Sequence, residues 1–196
     1  MIHQKFISFT QMSAAKKPKL VIVGDGGVGK TSIIVRYTRD QFSQGYEPTL
    51  EDNYQATIKI DDTTSIDIEI ADTAGQEDYK ALRDKYMAEG DAFFIVYSII
   101  DARSLQMAES LLDQITLLKE NSPFKFILVG NKCDMEGQRQ VSKVDGKNLA
   151  DKHSGLCFET SALSKQNIDV IFAEIGKMLL DKNKGEGGSG GCCNIA

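Results

Sequence analysis

A short apolar run, Leu20–Val23, opens directly onto Gly24-Asp25-Gly26-Gly27-Val28-Gly29-Lys30-Thr31, and Ile33, Ile34 and Tyr37 then recur at helical spacing. No other stretch of the chain narrows the fold as much. Glycines followed by Lys-Thr at this spacing, between a strand and a helix, form a loop that cradles phosphate. The glycines let the backbone curl until successive N–H groups converge on phosphate oxygens. The helix beginning near Lys30 adds the positive end of its dipole. Lys30 can reach the β- and γ-phosphates, and the Thr31 hydroxyl is a hard oxygen ligand suited to Mg²⁺. Residues Gly24 to Ser32 are therefore the candidate phosphate site.

The remaining pattern alternates strands and helices. Ala56, Ile58 and Ile60 alternate with polar residues, as do Ile66, Ile68 and Ile70, and Asp61, Asp62 and Thr63 lie between them. That spacing predicts an antiparallel hairpin. Ala92–Ser98 and Phe124–Gly130 are continuous apolar runs, as in parallel strands covered on both faces. Leu105, Ala108, Leu111, Leu112, Ile115 and Leu118 recur at helical spacing, as do Ile168, Ile171, Phe172, Ile175 and Leu179. Gly155–Thr160 supplies one more strand. The expected fold is α/β, a mixed sheet with one antiparallel hairpin and helices on both faces. Ligands of such sheets sit beyond the carboxyl ends of the strands, so motifs that follow strands matter most.

Asp72-Thr73-Ala74-Gly75-Gln76 follows one strand. A carboxylate at Asp72 can hold Mg²⁺ through its water shell, because Mg²⁺ dehydrates reluctantly. The Gly75 N–H can approach a γ-phosphate, and the Gln76 amide can orient a water molecule. Asn131-Lys132-Cys133-Asp134 follows another strand. The Asp134 carboxylate can accept from guanine N1–H and N2–H₂, whereas adenine would leave it partly unpaired, a difference large enough to select the base. Asn131 can hold the loop and the Lys132 stem can lie across the base. Ser161-Ala162-Leu163, after the last strand, offers a backbone N–H to guanine O6. A phosphate-loop ATPase or kinase would share Gly24–Thr31 but has no use for Asp134.

Composition sets the remaining bounds. The 196-residue chain is 41% hydrophobic and 26% charged, in the ordinary range of globular proteins. A net charge of -5 argues against nucleic-acid binding, which favours a basic face. No apolar run is long enough for a membrane-spanning helix, and Met1–Gln11 lacks the layout of a secretory signal. The four cysteines, Cys133, Cys157, Cys192 and Cys193, have no zinc-ligand spacing, which points to a reducing compartment. His3 and His153 lack catalytic company and are expected at the solvated surface. Residues 1–18 read as a disordered extension within which Met12 is an alternative start. Residues 185–191 read as a flexible linker.

These motifs, in this order, carry a resemblance. From about Lys19 onward the chain resembles the small GTPases of the Ras superfamily, and within it the Ras subfamily. Tyr46-Glu47-Pro48-Thr49-Leu50-Glu51-Asp52-Asn53-Tyr54 resembles the effector segment of that subfamily, and Asp72 through Met87 resembles its second switch. The resemblance implies a phosphate-loop GTPase domain over residues 19–182, with a six-stranded mixed sheet containing one antiparallel strand, and a tail over 183–196. It implies GTP/GDP and Mg²⁺ as ligands, with Thr31, Thr49 and Asp72 (through water) at the metal. Lys30, Thr49 and Gln76 would carry catalysis, Gln76 by positioning the attacking water. Phe42 would pack edge-on to guanine, and Tyr46 would close over the phosphates. An exchange factor, an activating protein and effectors reading residues 46–54 are the implied partners. Leu163 departs from the family by standing where many members have Lys.

Two expectations follow. Segment 41–49 contains no Arg, and Arg36 and Arg39 belong to the preceding helix, so intrinsic hydrolysis should be slow and accelerated by an Arg finger from an activating protein. Gly26 would have to lack a side chain to admit that finger. Cys193-Asn194-Ile195-Ala196 fits a prenylation box, with Cys192 as a palmitoylation candidate. One lipid gives only reversible binding, so the pair would place the chain on the cytoplasmic face of a membrane, with the plasma membrane expected.

Overall fold

Residues that alternate between two apolar faces build the sheet of this computed structural model, which describes residues 16–43, 45, 51–74, 80–120, 122 and 124–185. β1 (Lys19–Gly24) turns Leu20 and Ile22 to one face and Val21 and Val23 to the other, and all four are fully buried. β4 (Ala92–Ser98) divides the same way, with Phe94 and Val96 on the first face and Phe93, Ile95 and Tyr97 on the second. β5 (Lys125–Asn131) continues the pattern through Ile127 and Val129 against Phe126 and Leu128. Strands buried on both sides have no polar face to show, which is why they appear in the chain as unbroken apolar runs.

The six strands lie in the order β2-β3-β1-β4-β5-β6. β2 (Glu51–Lys59) and β3 (Ser65–Thr73) form an antiparallel hairpin, with Tyr54 opposite Ile70 and Ile58 opposite Ile66. Its turn is held by Asp61, whose carboxylate accepts from the N–H groups of Thr63 and Thr64 at 2.8 Å each. The other pairings, including β5 with β6 (Leu156–Glu159), are parallel.

α1 (Lys30–Arg39) and α5 (Ile168–Gly185) cover the first face, and α2 (Lys80–Glu89), α3 (Ala102–Lys119) and α4 (Lys143–Lys152) cover the second. Phe172 of α5 anchors the first layer. Its ring stacks on Tyr37 at 3.7 Å and meets Phe94 edge-on at 5.1 Å. Asp101 caps α3 by accepting from Arg103 N–H, and Ser142 with Asp145 forms a capping box on α4. Among the described residues, no helix is long and apolar enough to cross a membrane.

Three local expectations need correction. β5 starts at Lys125, so Phe124 lies just outside it and packs edge-on against Phe93. Leu118 is exposed although it keeps the spacing of the α3 stripe, and the buried stripe of α3 runs through Ala108, Leu111, Leu112 and Ile115. His153 is only partly solvated, with its side chain 17% exposed. It ends α4 with its N–H bonded to Ala150 O, and its Nε2 is buried 3.9 Å from Asp113. His3 lies outside the described residues.

Candidate nucleotide site

Because β1, β3, β4, β5 and β6 all run in one direction, their carboxyl ends bring Gly24, Thr73, Ser98, Asn131 and Glu159 to one rim of the sheet. The strand order reverses beside β1, the position at which sheets of this kind open a crevice. Gly24 makes the first turn out of the sheet with φ +153°, and a Cβ there would stand 2.2 Å from the Val96 carbonyl oxygen. Only glycine fits. No side chain caps the start of α1. Its first backbone N–H groups therefore face the loop mouth with the positive end of the helix dipole.

Lys30 is 7% exposed, and its ammonium donates to the carbonyls of Gly24 at 3.0 Å and Asp25 at 2.9 Å. The loop thus wraps around its own lysine. Burial draws the Lys30 pKa down to about 8, against the opposing charges of Asp72 and Asp25. Asp25 Oδ1 accepts from the Gly26 N–H at 2.7 Å, which stiffens the exposed tip.

Asp72 is fully buried at the end of β3. Its Oδ2 accepts from the Thr31 hydroxyl at 2.5 Å, while its Oδ1 has no hydrogen-bond partner among the described residues. Burial pushes the Asp72 pKa up to about 6, opposed by the Thr31 hydrogen bond and the Lys30 charge. A buried carboxylate oxygen left open beside a hydroxyl and a buried ammonium is an arrangement that a bound ion can complete.

The second loop follows β5. Lys132 takes a left-handed conformation, φ +66°, and starts a short 3₁₀ helix over Cys133–Gln138 that leaves Asp134 exposed at the rim. Asn131, 2% exposed, joins the two loops. Its Nδ2 donates to Val28 O in the phosphate loop at 2.9 Å, and its Oδ1 accepts from the Thr160 hydroxyl at 3.2 Å. The fit is close enough that a Cβ on Gly29 would stand 2.4 Å from Asn131 Nδ2. Cys133 N–H in turn donates to Thr160 O at 3.0 Å. Replacing Asn131 with alanine is therefore expected to lower unfolding stability by about 1–3 kcal/mol for each partner left unpaired. Denaturant titration of the variant measures this, and an unchanged midpoint would mean the two loops are not mechanically joined.

The third loop, after β6, is set by Ser161, which is fully buried. Its N–H donates to Gln166 O at 3.1 Å and its hydroxyl accepts from Ser164 N–H at 3.0 Å. Ala162 is buried and Leu163 is exposed. Phe42 is half-buried against the α1–α5 layer, with the Arg36 guanidinium 6.0 Å from its ring centre.

Of the residues singled out from the sequence, the structure gathers Gly24 through Ser32, Asp72, Asn131, Lys132, Asp134 and Ser161 through Leu163 along one rim of the sheet, with Phe42 shortly after α1. Tyr46, Thr49, Gly75, Gln76, Cys192 and Cys193 lie outside the described residues. Sequence reasoning missed Thr160, Arg36 and Arg139. Arg139 clamps the 3₁₀ helix to β6 through Glu136 and Glu159, at 2.6 Å each. Thr160 had one local signal, its place between a strand and Ser161. Arg36 and Arg139 had none, because charged residues on a helix and in a loop carry no pattern that foretells a partner far along the chain.

A mixed, mostly parallel α/β sheet with a glycine loop gripping a buried lysine, and a second loop tied to it by Asn131, defines a phosphate-loop nucleotide-binding protein. The sequence profile of the Ras family matches residues 19–181. The chain is also 39% identical over 164 residues to the Ras-like protein rasB of Dictyostelium discoideum, covering 84% of this chain and 83% of that one. This chain belongs to the Ras family of small GTPases, which bind guanine nucleotides and hydrolyse GTP.

Proposed function

We propose that this protein is a slow GTP/GDP switch whose triphosphate state recruits effectors and ends when an activating protein supplies an arginine. The observation that most supports this is Asn131, one buried side chain at the head of the Asp134 loop that is bonded to the phosphate loop at Val28 and to Thr160 after β6. Grip on the phosphates and choice of base are thereby made one event.

In this reading Lys30 and the N–H groups from Gly26 to Ser32 hold the β- and γ-phosphates. Asp134 accepts from guanine N1–H and N2–H₂, Ala162 N–H meets O6, and Phe42 packs against the base edge. Gln76 orients the water that attacks the γ-phosphorus while the bond to the β-phosphate oxygen breaks, releasing GDP and phosphate. Gly75 and Thr49 sense the γ-phosphate, so their two segments relax once it leaves. Asp52 and Tyr54 lie on β2, an edge strand, where a partner can reach them. Lipid attachment at Cys193, with Cys192 second, would hold the switch at the cytoplasmic face of a membrane. An intact mass showing Cys193 unmodified in protein from its native cell would remove that part.

The residues present fit Mg²⁺. The open Asp72 Oδ1 and the adjacent Thr31 hydroxyl are hard oxygen donors of the kind that ion takes, directly or through its waters. Bound between them and the nucleotide, it would neutralise charge on the β- and γ-oxygens. Chelation with excess EDTA is therefore expected to speed GDP release by about tenfold or more. Release followed with a fluorescent GDP analogue checks this, and an unchanged rate would remove the metal from the account.

The switch itself is tested by pull-down from a cell extract with protein loaded with a non-hydrolysable GTP analogue or with GDP. Partners retained by the triphosphate form alone are the expected result. Identical sets from both forms would leave a nucleotide-binding scaffold that does not signal.

A further inference from the structure

The third loop, at Ala162 and Leu163 after β6, is held in place by a residue of α1. Arg36 Nε donates to Ala162 O at 2.7 Å and its Nη2 donates to Leu163 O at 2.7 Å. Its Nη1 donates to Asp40 O at 3.1 Å, where α1 ends in a left-handed residue. The Arg36 side chain is only 16% exposed, and its guanidinium stands 6.0 Å from the centre of the Phe42 ring. Asp40 is itself anchored, since its Oδ1 meets Lys165 Nζ at 3.1 Å. One side chain therefore ties together the helix that carries the phosphate loop, the segment that carries Phe42, and the loop at Ala162.

We propose that Arg36 is a positioning residue for guanine recognition, fixing the Ala162–Leu163 turn and Phe42 so that bound nucleotide leaves slowly. The proposal rests on the guanine-switch reading above. In a planar trans peptide the C=O and N–H point in opposite directions. Drawing the Ala162 and Leu163 carbonyls toward α1 therefore turns the Leu163 and Ser164 N–H groups the other way, the latter onto Ser161 Oγ, and fixes the turn from which the Ala162 N–H projects. Arginine suits this because its planar fork serves two carbonyls in parallel, with a further donor left for Asp40, which a lysine ammonium cannot do. Leu163 brings no charged side chain to the base, so the turn's orientation falls to its backbone and to Arg36.

The test follows GDP and 6-thio-GDP release from the full-length protein and from Arg36→Ala, Arg36→Lys and Arg36→Gln. The thio analogue keeps N1–H and N2–H₂ but replaces O6 with sulfur, a weak acceptor. Arg36→Ala is expected to speed GDP release by about tenfold or more, because hydrogen bonds from a charged group are lost. Arg36→Lys should not restore the parent rate. Arg36→Gln, which keeps part of the apolar stem and one donor group, should fall between them and serves if the alanine variant folds poorly. The parent should release 6-thio-GDP faster than GDP, and that penalty should shrink in the variants, because misplaced N–H groups gain little from O6.

Release within about twofold of the parent would overturn the proposal. So would faster release with an undiminished thio penalty, since Arg36 would then only stiffen the fold. A parent that does not distinguish the two nucleotides overturns it as well, because the turn would not be reading O6. Failure of the parent to bind GDP at all would instead bring down the guanine-switch reading.

Discussion

Replacing Asp134 with alanine is expected to lower affinity for GDP by roughly 10²- to 10³-fold and to abolish the preference for guanine over adenine. Asp134 stands exposed at the rim, on a 3₁₀ helix held by Arg139 and by the Cys133–Thr160 hydrogen bond, so its truncation would remove the proposed base contact without opening the core. Two things change at once. Guanine loses a charged acceptor for two donors, and adenine no longer strands a carboxylate against its N1 lone pair. Titration of the variant with GDP and ADP measures both. A variant that still discriminates would place base recognition elsewhere on the rim.

The second large effect concerns turnover. Gln76→Leu and Gly26→Val are each expected to abolish stimulation by an activating protein and so to hold the triphosphate state. The stimulation at stake is roughly 10⁵-fold, a value already established for Ras itself. Leucine would remove the amide proposed to orient the water, and a valine side chain at the exposed tip of the phosphate loop would stand where the proposed arginine enters. The chain brings no arginine of its own to segment 41–49, and Arg36 is committed to Ala162 and Leu163. Single-turnover phosphate release with excess activating protein reads the effect. Unimpaired hydrolysis in both variants would refute the assigned roles.

Much of the fold could be read from the chain because its central strands have no polar face. Leu20–Val23 and Ala92–Tyr97 divide residue by residue between the two layers, and that division requires apolar side chains throughout. The order β2-β3-β1-β4-β5-β6 could not be read, since periodicity reports which face a residue takes and not which strand lies beside it. The same limit shaped the site. Lys30, Asp72, Asn131 and Asp134 sit in local motifs whose spacing is itself the chemistry. Arg36 and Thr160 act through carbonyls and a side chain brought near only by the fold, and a backbone carbonyl leaves no mark on residue identity. His153 misled for a related reason, because its neighbours at the end of α4, Asp113 of α3 among them, are set by the fold and not by the local sequence.

The proposed switch stands on one coupling: a glycine loop that grips phosphates while a carboxylate held beside it chooses guanine. Competition binding of GTP and ATP to the Mg²⁺-loaded protein tests that coupling most directly. GTP should bind tightly and ATP should compete at least about 10³-fold less well. Equal competition by ATP, or tight binding of neither, would contradict it.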